Sequence, residues 1–361
     1  MALHARGCWR LAIDLMLPPF PAPPLPLGRR LRVSIVVNNH NYETFLREAL
    51  MSAIAQRDED VEVVVVDDGS TDSSREVIAS FAGQVHPIFQ DNLGQKAAFN
   101  TGFAAASGDV VMFLDADDRL APDAASAIAS AFRAHPEAGR VVFRLEAVDQ
   151  AGRPIGALMP PSRVRLPAGD VRHAVLSFPD DLAWPPTSGN AFAKWALARV
   201  LPLTVDDDPL GADLMLHALV PLLAPVVAVD KVFGAYRVHD RNPHSRRRSA
   251  SERSRSLLRV ATDSHAAIER LAWNLGYGPV RPRSVTIAAH RLLSLRLGGS
   301  GHPIRNDTLR RALGAGVRAS WGRDDVAIGR RMLYVAWFAA AATAPRPVVR
   351  ALARKAFGKA N

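Results

Sequence analysis

The sequence predicts an α/β fold: a mostly parallel, Rossmann-like sheet with helices on both of its faces. Two observations support this prediction. Short, continuous runs rich in valine, such as residues 33–37 and 61–66, are typical of strands buried on both faces. Segments with apolar residues at helical spacing, such as residues 45–54, separate these runs. Repeated strand–helix–strand units of this kind build parallel sheets.

The predicted elements follow in regular order to about residue 140. After the second strand, Asp72 is placed to cap a helix. The next elements are a strand over 85–89, a helix over 96–106, a strand over 110–114 and a helix from Pro122. Beyond residue 140, the pattern predicts a hairpin over 141–158, helices over 170–178, from Lys194 and over 211–223, and two short strands at 226–229 and 233–238.

Charge divides the chain into two regions. Residues 246–361 hold 23 of the 45 Lys and Arg but only 6 of the 35 Asp and Glu, a net charge of +17. The preceding residues hold 22 basic and 29 acidic side chains, a net charge of −7. We therefore expect a flexible, proline-rich leader over 1–29, a chemical domain over 30–245 and a basic, mainly helical region over 246–361.

The only cysteine, Cys8, excludes an intramolecular disulfide framework and a cysteine-based zinc site. No apolar stretch reaches the roughly 20 residues that a transmembrane helix needs. These observations predict a cytoplasmic protein. The arginine-rich tail, with Trp321 and the aromatic residues of 334–338, makes an anionic membrane surface a candidate partner, and a small helical cap is the alternative. No nucleic-acid motif is present, so no nucleic acid is expected as a partner.

Acidic residues follow two of the predicted buried strands. Asp67 and Asp68 come after the second strand, and the run Asp115, Asp117 and Asp118 comes after the fourth. In an open α/β sheet, ligands bind beyond the carboxyl ends of the strands. Paired carboxylates at such an edge suit Mg²⁺ or Mn²⁺ that also contacts a diphosphate. The sequence therefore predicts a site at which a divalent cation helps to bind a phosphate-bearing ligand.

Four stretches carry a resemblance to a known family, and they lie within roughly residues 31–240. They are VSIVVNNHNY from Val33, VVVDDGSTD from Val64, NLGQKAAFNTG from Asn92 and GDVVMFLDADD from Gly108. In order and spacing they resemble the family 2 glycosyltransferases, inverting enzymes of the GT-A fold. The resemblance implies a nucleotide-diphosphate-sugar donor and a glycan or lipid-linked acceptor, as in cell-surface polysaccharide or glycolipid synthesis.

The resemblance also implies roles for individual residues. Asp115 and Asp117 match the DxD motif, with Asp117 the stronger candidate for metal contact and His239 a further candidate. The residues implied for donor nucleotide binding are Asn39, Asn41, Asp67, Asp68, Asn92, Gly94, Lys96 and Asp115. For Lys96, a solvated helix surface is the alternative. The family places Arg237 near the phosphates, and the residues implied for the sugar and acceptor loop are Ser188, Gly189 and Asn190.

The transfer needs a base that takes the proton of the acceptor hydroxyl. By resemblance this is an acid directly before an apolar helix, which favours Asp213 over Asp206, Asp207 and Asp208. A helix N-cap is the alternative role for Asp213. Two other functions stay open at this point: a haloacid-dehalogenase-type phosphohydrolase and a non-catalytic sugar-nucleotide-binding protein. Arg119, where the phosphohydrolase pattern needs Thr or Val, disfavours the first.

Overall fold

A computed structural model describes residues 18–20, 25, 30–57, 60–204, 211–240, 242, 250–297, 302–323 and 326–357. The chain forms two compact units. The first contains the described residues of 1–173, 183–239 and 274–277, and the second those of 174–182, 240–273 and 278–361. Most of the predicted leader, and the predicted domain boundary at 245/246, lie outside the described residues.

The first unit is organised around one sheet of nine strands. The strands are β1 (Arg32–Asn39), β2 (Asp60–Asp68), β3 (His86–Gln90), β4 (Val110–Asp115), β5 (Arg119–Leu120), β6 (Arg140–Val148), β7 (Pro154–Met159), β8 (Asn190–Ala193) and β9 (Val226–Arg237). Their order is β3-β2-β1-β4-β8-β6-β9-β5, with β7 paired to β6. Strands β1 to β4 are parallel, and β8 runs antiparallel to both β4 and β6. The carboxyl ends of β1, β2 and β4 therefore meet at one edge.

Helices pack against this sheet because their apolar faces match its buried valines. They are α1 (Glu43–Ile54), α2 (Ser74–Ala79), α3 (Gln95–Ala105), α4 (Ala124–Ala134), α6 (Lys194–Leu197) and α7 (Ala212–Leu219). The residues of the short helix α5 (Arg172–Ser177) are divided between the two units. Phe99 of α3 stacks on Phe113 of β4 with ring centroids 4.0 Å apart. This packing fixes the start of α3 beside the carboxyl edge of β2 and β4.

The second unit contains five long helices. They are α8 (Ala250–Asn274), α9 (Val285–Leu297), α10 (Leu309–Gly322), α11 (Ile328–Thr343) and α12 (Arg346–Phe357). Phe338 is buried among them, and a Cβ on Gly316 would lie 2.3 Å from its ring. The expectation that the whole 334–338 segment faces a membrane is therefore wrong for Phe338, which is a core residue. Within the described ranges, no helix combines the length and hydropathy that crossing a bilayer requires.

The predicted regular strands and helices are confirmed, and one detail differs. The two short strands expected over 226–238 form the single strand β9, whose pairing with β6 shifts register between Phe143 and Glu146. At that irregularity Asp230 of β9 forms an ion pair with Arg144 of β6. An irregular register allows one strand to continue through a polar segment that, in the sequence, predicts the end of a strand.

Candidate functional site

The end of β1 and the end of β2 are joined by buried polar side chains. Asn39 lies opposite Asp67 in the parallel register, and its Nδ2 donates to Asp67 Oδ1 at 2.8 Å and to Ser70 Oγ at 3.1 Å. The Asp67 carboxylate also accepts a bond from the Ser70 amide at 3.3 Å. Two of the predicted nucleotide-binding residues thus contact each other directly.

Asp68 holds the loop that begins α3. Its carboxylate accepts bonds from Gln90 Nε2 at 2.7 Å, the Leu93 amide at 3.0 Å and the Gly94 amide at 2.8 Å. Gly69 makes the intervening turn with φ 69°, and a Cβ there would lie 2.5 Å from the backbone nitrogen of Asn92. The close approach of these two loops therefore requires glycine.

His40 and Asn41 form the upper part of the same edge. Nδ1 of His40 lies 2.7 Å from the carbonyl oxygen of Asp68, so it donates, and Nε2 accepts from Asn41 Nδ2 at 3.0 Å. Asn41 has φ 60°, and its Oδ1 accepts from the Thr71 amide at 2.7 Å. The exposed Asn92 lies near the same ring, with Nδ2 3.5 Å from His40 Nε2. Asn41 and Asn92 are therefore brought together with the Asp67–Asp68 turn.

Three nearby polar side chains are notable because their polar atoms or whole side chains are buried. Lys96, on the first turn of α3, is only 3% exposed, so the alternative of a solvated surface lysine is wrong. Asn38 pairs in register with Asp115, and its side-chain Oδ1 and Nδ2 are buried without a hydrogen-bond partner among the described residues. Oδ1 of Asn39 is also buried and has no hydrogen-bond partner among the described residues. Such unsatisfied groups are costly unless a ligand supplies partners.

Three carboxylates gather where β4 ends. Burial, and then the charges of Asp117 and Asp213, raise the pKa of Asp115 to about 8. Burial, and then the charges of Asp117 and Asp115, raise the pKa of Asp118 well above its usual range. Hydrogen bonds from Thr187 and Gln95 to the Asp115 side chain oppose its shift without cancelling it. The cluster thus concentrates negative charge that a cation would stabilise.

The predicted sugar and acceptor loop is hydrogen-bonded to this cluster. The Asp115 amide donates to Ser188 Oγ at 3.2 Å, and Ser188 Oγ donates to Asp118 Oδ2 at 2.7 Å. Gly189 has no room for a side chain, because a Cβ would lie 2.6 Å from that of Pro185. The Asn190 side chain is fully buried and donates to the carbonyl oxygen of Pro186 at 2.7 Å. Ser188 and Asn190 are therefore committed to internal hydrogen bonds.

Asp117 is held by residues at the end of β9. Its Oδ2 lies 2.8 Å from His239 Nε2, and its carbonyl oxygen accepts from Arg237 Nε at 2.8 Å. The Arg237 guanidinium also bonds Glu48 and the carbonyl oxygen of Gln150, and is 2% exposed. These bonds fix the acidic turn, and they favour a structural role for Arg237 over the implied phosphate contact.

Asp213 lies in the first turn of α7, and its charge is close enough to raise the pKa of Asp115. The N-cap is Gly211, with φ 90°, so the alternative role of Asp213 as N-cap is wrong. Its Oδ1 accepts from the Leu214 amide at 2.8 Å. The alternative bases Asp206, Asp207 and Asp208 lie outside the described residues.

A buried arginine behind α7 is a feature that the sequence analysis missed. Arg140 is fully buried, donates from Nε to Asn190 Oδ1 at 3.1 Å, and lies 4.1 Å from the ring centroid of Trp184. Burial lowers its pKa well below the usual range, an effect that the charge of Asp213 opposes. In the sequence, Arg140 is an arginine at the start of a strand, and no local pattern indicates that it is buried.

His217 lies one turn beyond Asp213 on α7, and its burial should make the stability of the fold depend on pH. Burial, and then the Arg140 charge, hold the pKa of His217 well below its usual range. The unfolded chain therefore binds a proton below about pH 6.5 that the folded protein does not, so stability falls as pH decreases, by at most about 1.4 kcal/mol per unit from this residue. Urea unfolding between pH 7.5 and 5 should show a shallower slope for His217→Gln and an unchanged slope for the exposed His86→Gln.

Comparison with solved structures identifies the class of fold. S. aureus TarS 1-349, solved in complex with UDP-GlcNAc, superposes with a TM-score of 0.51 at 17% identity, covering 80% of this chain and 81% of that chain. At that identity the likeness shows the fold alone. The sheet order and the flanking helices are those of a GT-A fold, as the sequence predicts.

Sequence comparisons give the family. The family model described as Glycosyl transferase family 2 matches residues 34–171. An uncharacterized glycosyltransferase of Nostoc sp., alr2836, is 32% identical over 253 residues, covering 69% of this chain and 78% of that protein. The chain belongs to the family 2 glycosyltransferases. The phosphohydrolase alternative is therefore wrong.

A second relative matches over a shorter length. The O-antigen biosynthesis protein RfbC of Myxococcus xanthus is 37% identical over 132 residues, which is 35% of this chain. The chain spans only 10% of that protein's length.

Proposed function

We propose that this glycosyltransferase moves a sugar from a nucleotide-diphosphate-sugar to an acceptor hydroxyl with inversion at the anomeric carbon, in polysaccharide synthesis. The observation that carries the proposal is the acidic cluster at the carboxyl edge of β4, coupled electrostatically to Asp213. The O-antigen biosynthesis protein RfbC, which matches this chain over 132 residues, supports the polysaccharide class of product. A glycan or lipid-linked molecule is the proposed acceptor.

The donor is proposed to lie along the edge formed by β1, β2 and the start of α3. Asn38 and Asn39 offer buried amide atoms that lack partners among the described residues. Gly94 and Lys96 lie at the start of α3, where backbone dipoles and a cation favour phosphate. Asn41, Asp67, Asp68 and Asn92 form the adjoining turn; the internal bonds of Asp67 and Asp68 support a role in shaping it.

The acidic cluster fits Mg²⁺ or Mn²⁺. Its carboxylates are hard oxygen ligands, and the raised pKa of Asp115 reflects a charge that a cation would relieve. No group of three His, Cys, Asp or Glu arranged to hold a metal is found in the described part of the chain. Mg²⁺ sites commonly use one or two carboxylates together with substrate phosphates, so a small protein ligand set suffices.

We assign metal binding to Asp117, with Asp115 assisting. The cation would neutralise negative charge on the departing nucleoside diphosphate. His239 stays a candidate ligand, but its 2.8 Å contact with Asp117 Oδ2 favours a role in orienting that carboxylate. Ser188 would hold the turn between Asp115 and Asp118 in place.

Asp213 is the proposed base. It would accept the proton of the acceptor hydroxyl as that oxygen forms its bond to the anomeric carbon, while the bond to the diphosphate oxygen breaks. A carboxylate in the first turn of a helix is stabilised in its charged, proton-accepting form. Asp206, Asp207 and Asp208 are the alternatives.

A donor screen tests the proposal. The full chain is incubated with UDP-, GDP- and dTDP-sugars, with Mg²⁺ or Mn²⁺, and its melting temperature is measured. A donor bound only by the folded state raises that temperature. Release of nucleoside diphosphate with a candidate acceptor glycan then measures turnover. A stabilising donor that is never turned over would favour the non-catalytic alternative.

We also propose that the second unit contacts an anionic membrane surface. At the start of α11, Ile328, Met332 and Leu333 are 57%, 58% and 70% exposed, and Arg330 lies exposed among them. Each basic residue near an anionic leaflet contributes about 1 kcal/mol of electrostatic attraction. At physiological salt this attraction decays over a Debye length of about 8 Å. Exposed apolar side chains add a part that salt does not weaken.

Vesicle co-sedimentation gives the corresponding prediction. Leu333→Glu should reduce sedimentation of the full chain with anionic vesicles severalfold, because it places a charge in the apolar contact. The control Ile155→Glu, at an exposed position on β7 of the first unit, should sediment like the unmodified protein. Equal sedimentation of both variants at low and physiological salt would contradict the membrane contact.

A further inference from the structure

The second unit contains a cavity of about 700 Å³ lined by α8, α9, α10 and the segment before α9. This volume is typical of sites for small molecules. Its lining is divided by chemistry. The basic side chains are Arg281, Arg283, Arg291 and Arg318, and the apolar ones are Ala261, Ala266, Ile287, Ala288, Ile304 and Ala315.

The charges around the cavity do not balance. Arg291 is neutralised by Asp307, whose two carboxylate oxygens accept its Nε and Nη2 at 2.9 and 2.8 Å. Arg281, Arg283 and Arg318 form no ion pair with any residue that the structure describes. Among the described residues of the lining, Glu269 is the one carboxylate. Among the described lining residues, three exposed arginines without an ion pair therefore stand beside one exposed carboxylate.

Other polar groups of the lining are already engaged. Ser284 Oγ donates to Asp181 at 3.2 Å and accepts from the Ile287 amide at 3.0 Å. Nε2 of His265 lies 2.6 Å from Asp180 Oδ2. The groups left to bind a ligand are therefore the guanidinium forks, and these match phosphate oxygens in geometry and charge.

We propose that this cavity binds an organic phosphate whose apolar part lies against the alanine and isoleucine side chains, as a lipid phosphate would present it. The arginines supply the recognition of the phosphate, and the apolar lining selects an alkyl-bearing phosphate over a polar one. Burial of each methylene contributes about 0.8 kcal/mol, or roughly fourfold in affinity. The proposal does not depend on the roles proposed for the acidic cluster.

Calorimetry on the full chain tests the site with two probes that share a phosphate monoester and differ in their remainder. Hexyl phosphate stays monomeric at binding concentrations and carries an apolar chain, whereas glycerol 3-phosphate is polar and represents a free metabolite. We expect hexyl phosphate to bind at least tenfold more tightly than glycerol 3-phosphate. Equal dissociation constants, or no binding of hexyl phosphate, would overturn the proposal.

Variants locate the binding. Arg281→Gln and Arg318→Gln should each weaken hexyl phosphate about tenfold, because each removes a charge-assisted hydrogen bond. Glu269→Gln should tighten it, because it removes the opposing charge. Arg310→Gln, exposed on the same helix as Arg318 but outside the lining, is the matched control and should leave the dissociation constant unchanged.

A steric variant tests the apolar half. Ala266→Trp, at an exposed position of the lining, should remove the preference for hexyl phosphate over glycerol 3-phosphate while the melting temperature stays unchanged. If the arginine variants bind like the Arg310→Gln control, the cavity is not the phosphate site. That result would overturn the proposal even if the protein still binds anionic vesicles.

Discussion

Asp213→Asn should lower turnover by about 100-fold or more while leaving donor affinity nearly unchanged. The amide is the same size as the carboxylate, and its oxygen can still accept the Leu214 amide that bonds Asp213 Oδ1 at 2.8 Å. Only the ability to take a proton is removed, and general-base catalysis typically contributes 10²–10⁴-fold. Donor affinity is measured by calorimetry and turnover by release of nucleoside diphosphate, with Mg²⁺ or Mn²⁺ present.

The alternative bases need their own variant. A combined Asn replacement of Asp206, Asp207 and Asp208 should retain turnover if Asp213 is the base. Loss of turnover in that variant, with full activity in Asp213→Asn, would move the base to the triple-aspartate segment. The pH profile of kcat offers a second readout, because its acidic limb reports the base in the enzyme–substrate complex.

Asp117→Asn should weaken metal-dependent donor binding at least tenfold. The substitution retains an oxygen that can accept from His239 Nε2, now 2.8 Å from Asp117 Oδ2, but it removes the negative charge that would hold a divalent cation. Even loss of a group that only supports a metal ligand commonly costs 10–100-fold in metal affinity. Donor dissociation constants are measured by calorimetry with Mn²⁺, with Mg²⁺ and with EDTA.

Two comparisons make the result specific. Asp123→Asn replaces an exposed aspartate just before α4, outside the cluster, and should bind donor like the unmodified chain. EDTA should reduce the affinity of the unmodified chain to that of Asp117→Asn. If the donor binds equally well with EDTA and in the variant, the metal assignment is refuted.

The parallel half of the fold could be predicted from the sequence because β1, β2 and β4 are continuous apolar runs and apolar residues at helical spacing separate them. The acidic positions followed from the same pattern, since carboxyl ends of parallel strands share an edge. The helices over 309–322 and 346–357 were not predicted. Gly314 and Gly316 lower the helix propensity of the first of these segments.

The parts of the site that escaped prediction depend on tertiary contacts. Nothing local in the sequence indicates that Arg140 is buried against Trp184. Nor does it indicate that Arg237 donates its hydrogen bonds to Glu48 and the acidic turn. Likewise, a lysine on the first turn of a helix is usually solvated, and only the packing of α3 on the sheet buries Lys96. Resemblance to a family located the loops but not the direction of each side chain.

The bond network of Asp68 has a consequence for redesigning donor preference. Its carboxylate joins Gln90 to the amides of Leu93 and Gly94, so a substitution there would change the shape of two loops at once. A mutant library that includes this position would mix loss of folding with change of selectivity. Both side-chain amide atoms of Asn38 are buried at the edge without a partner in the described chain, so Asn38 offers a better position for randomisation.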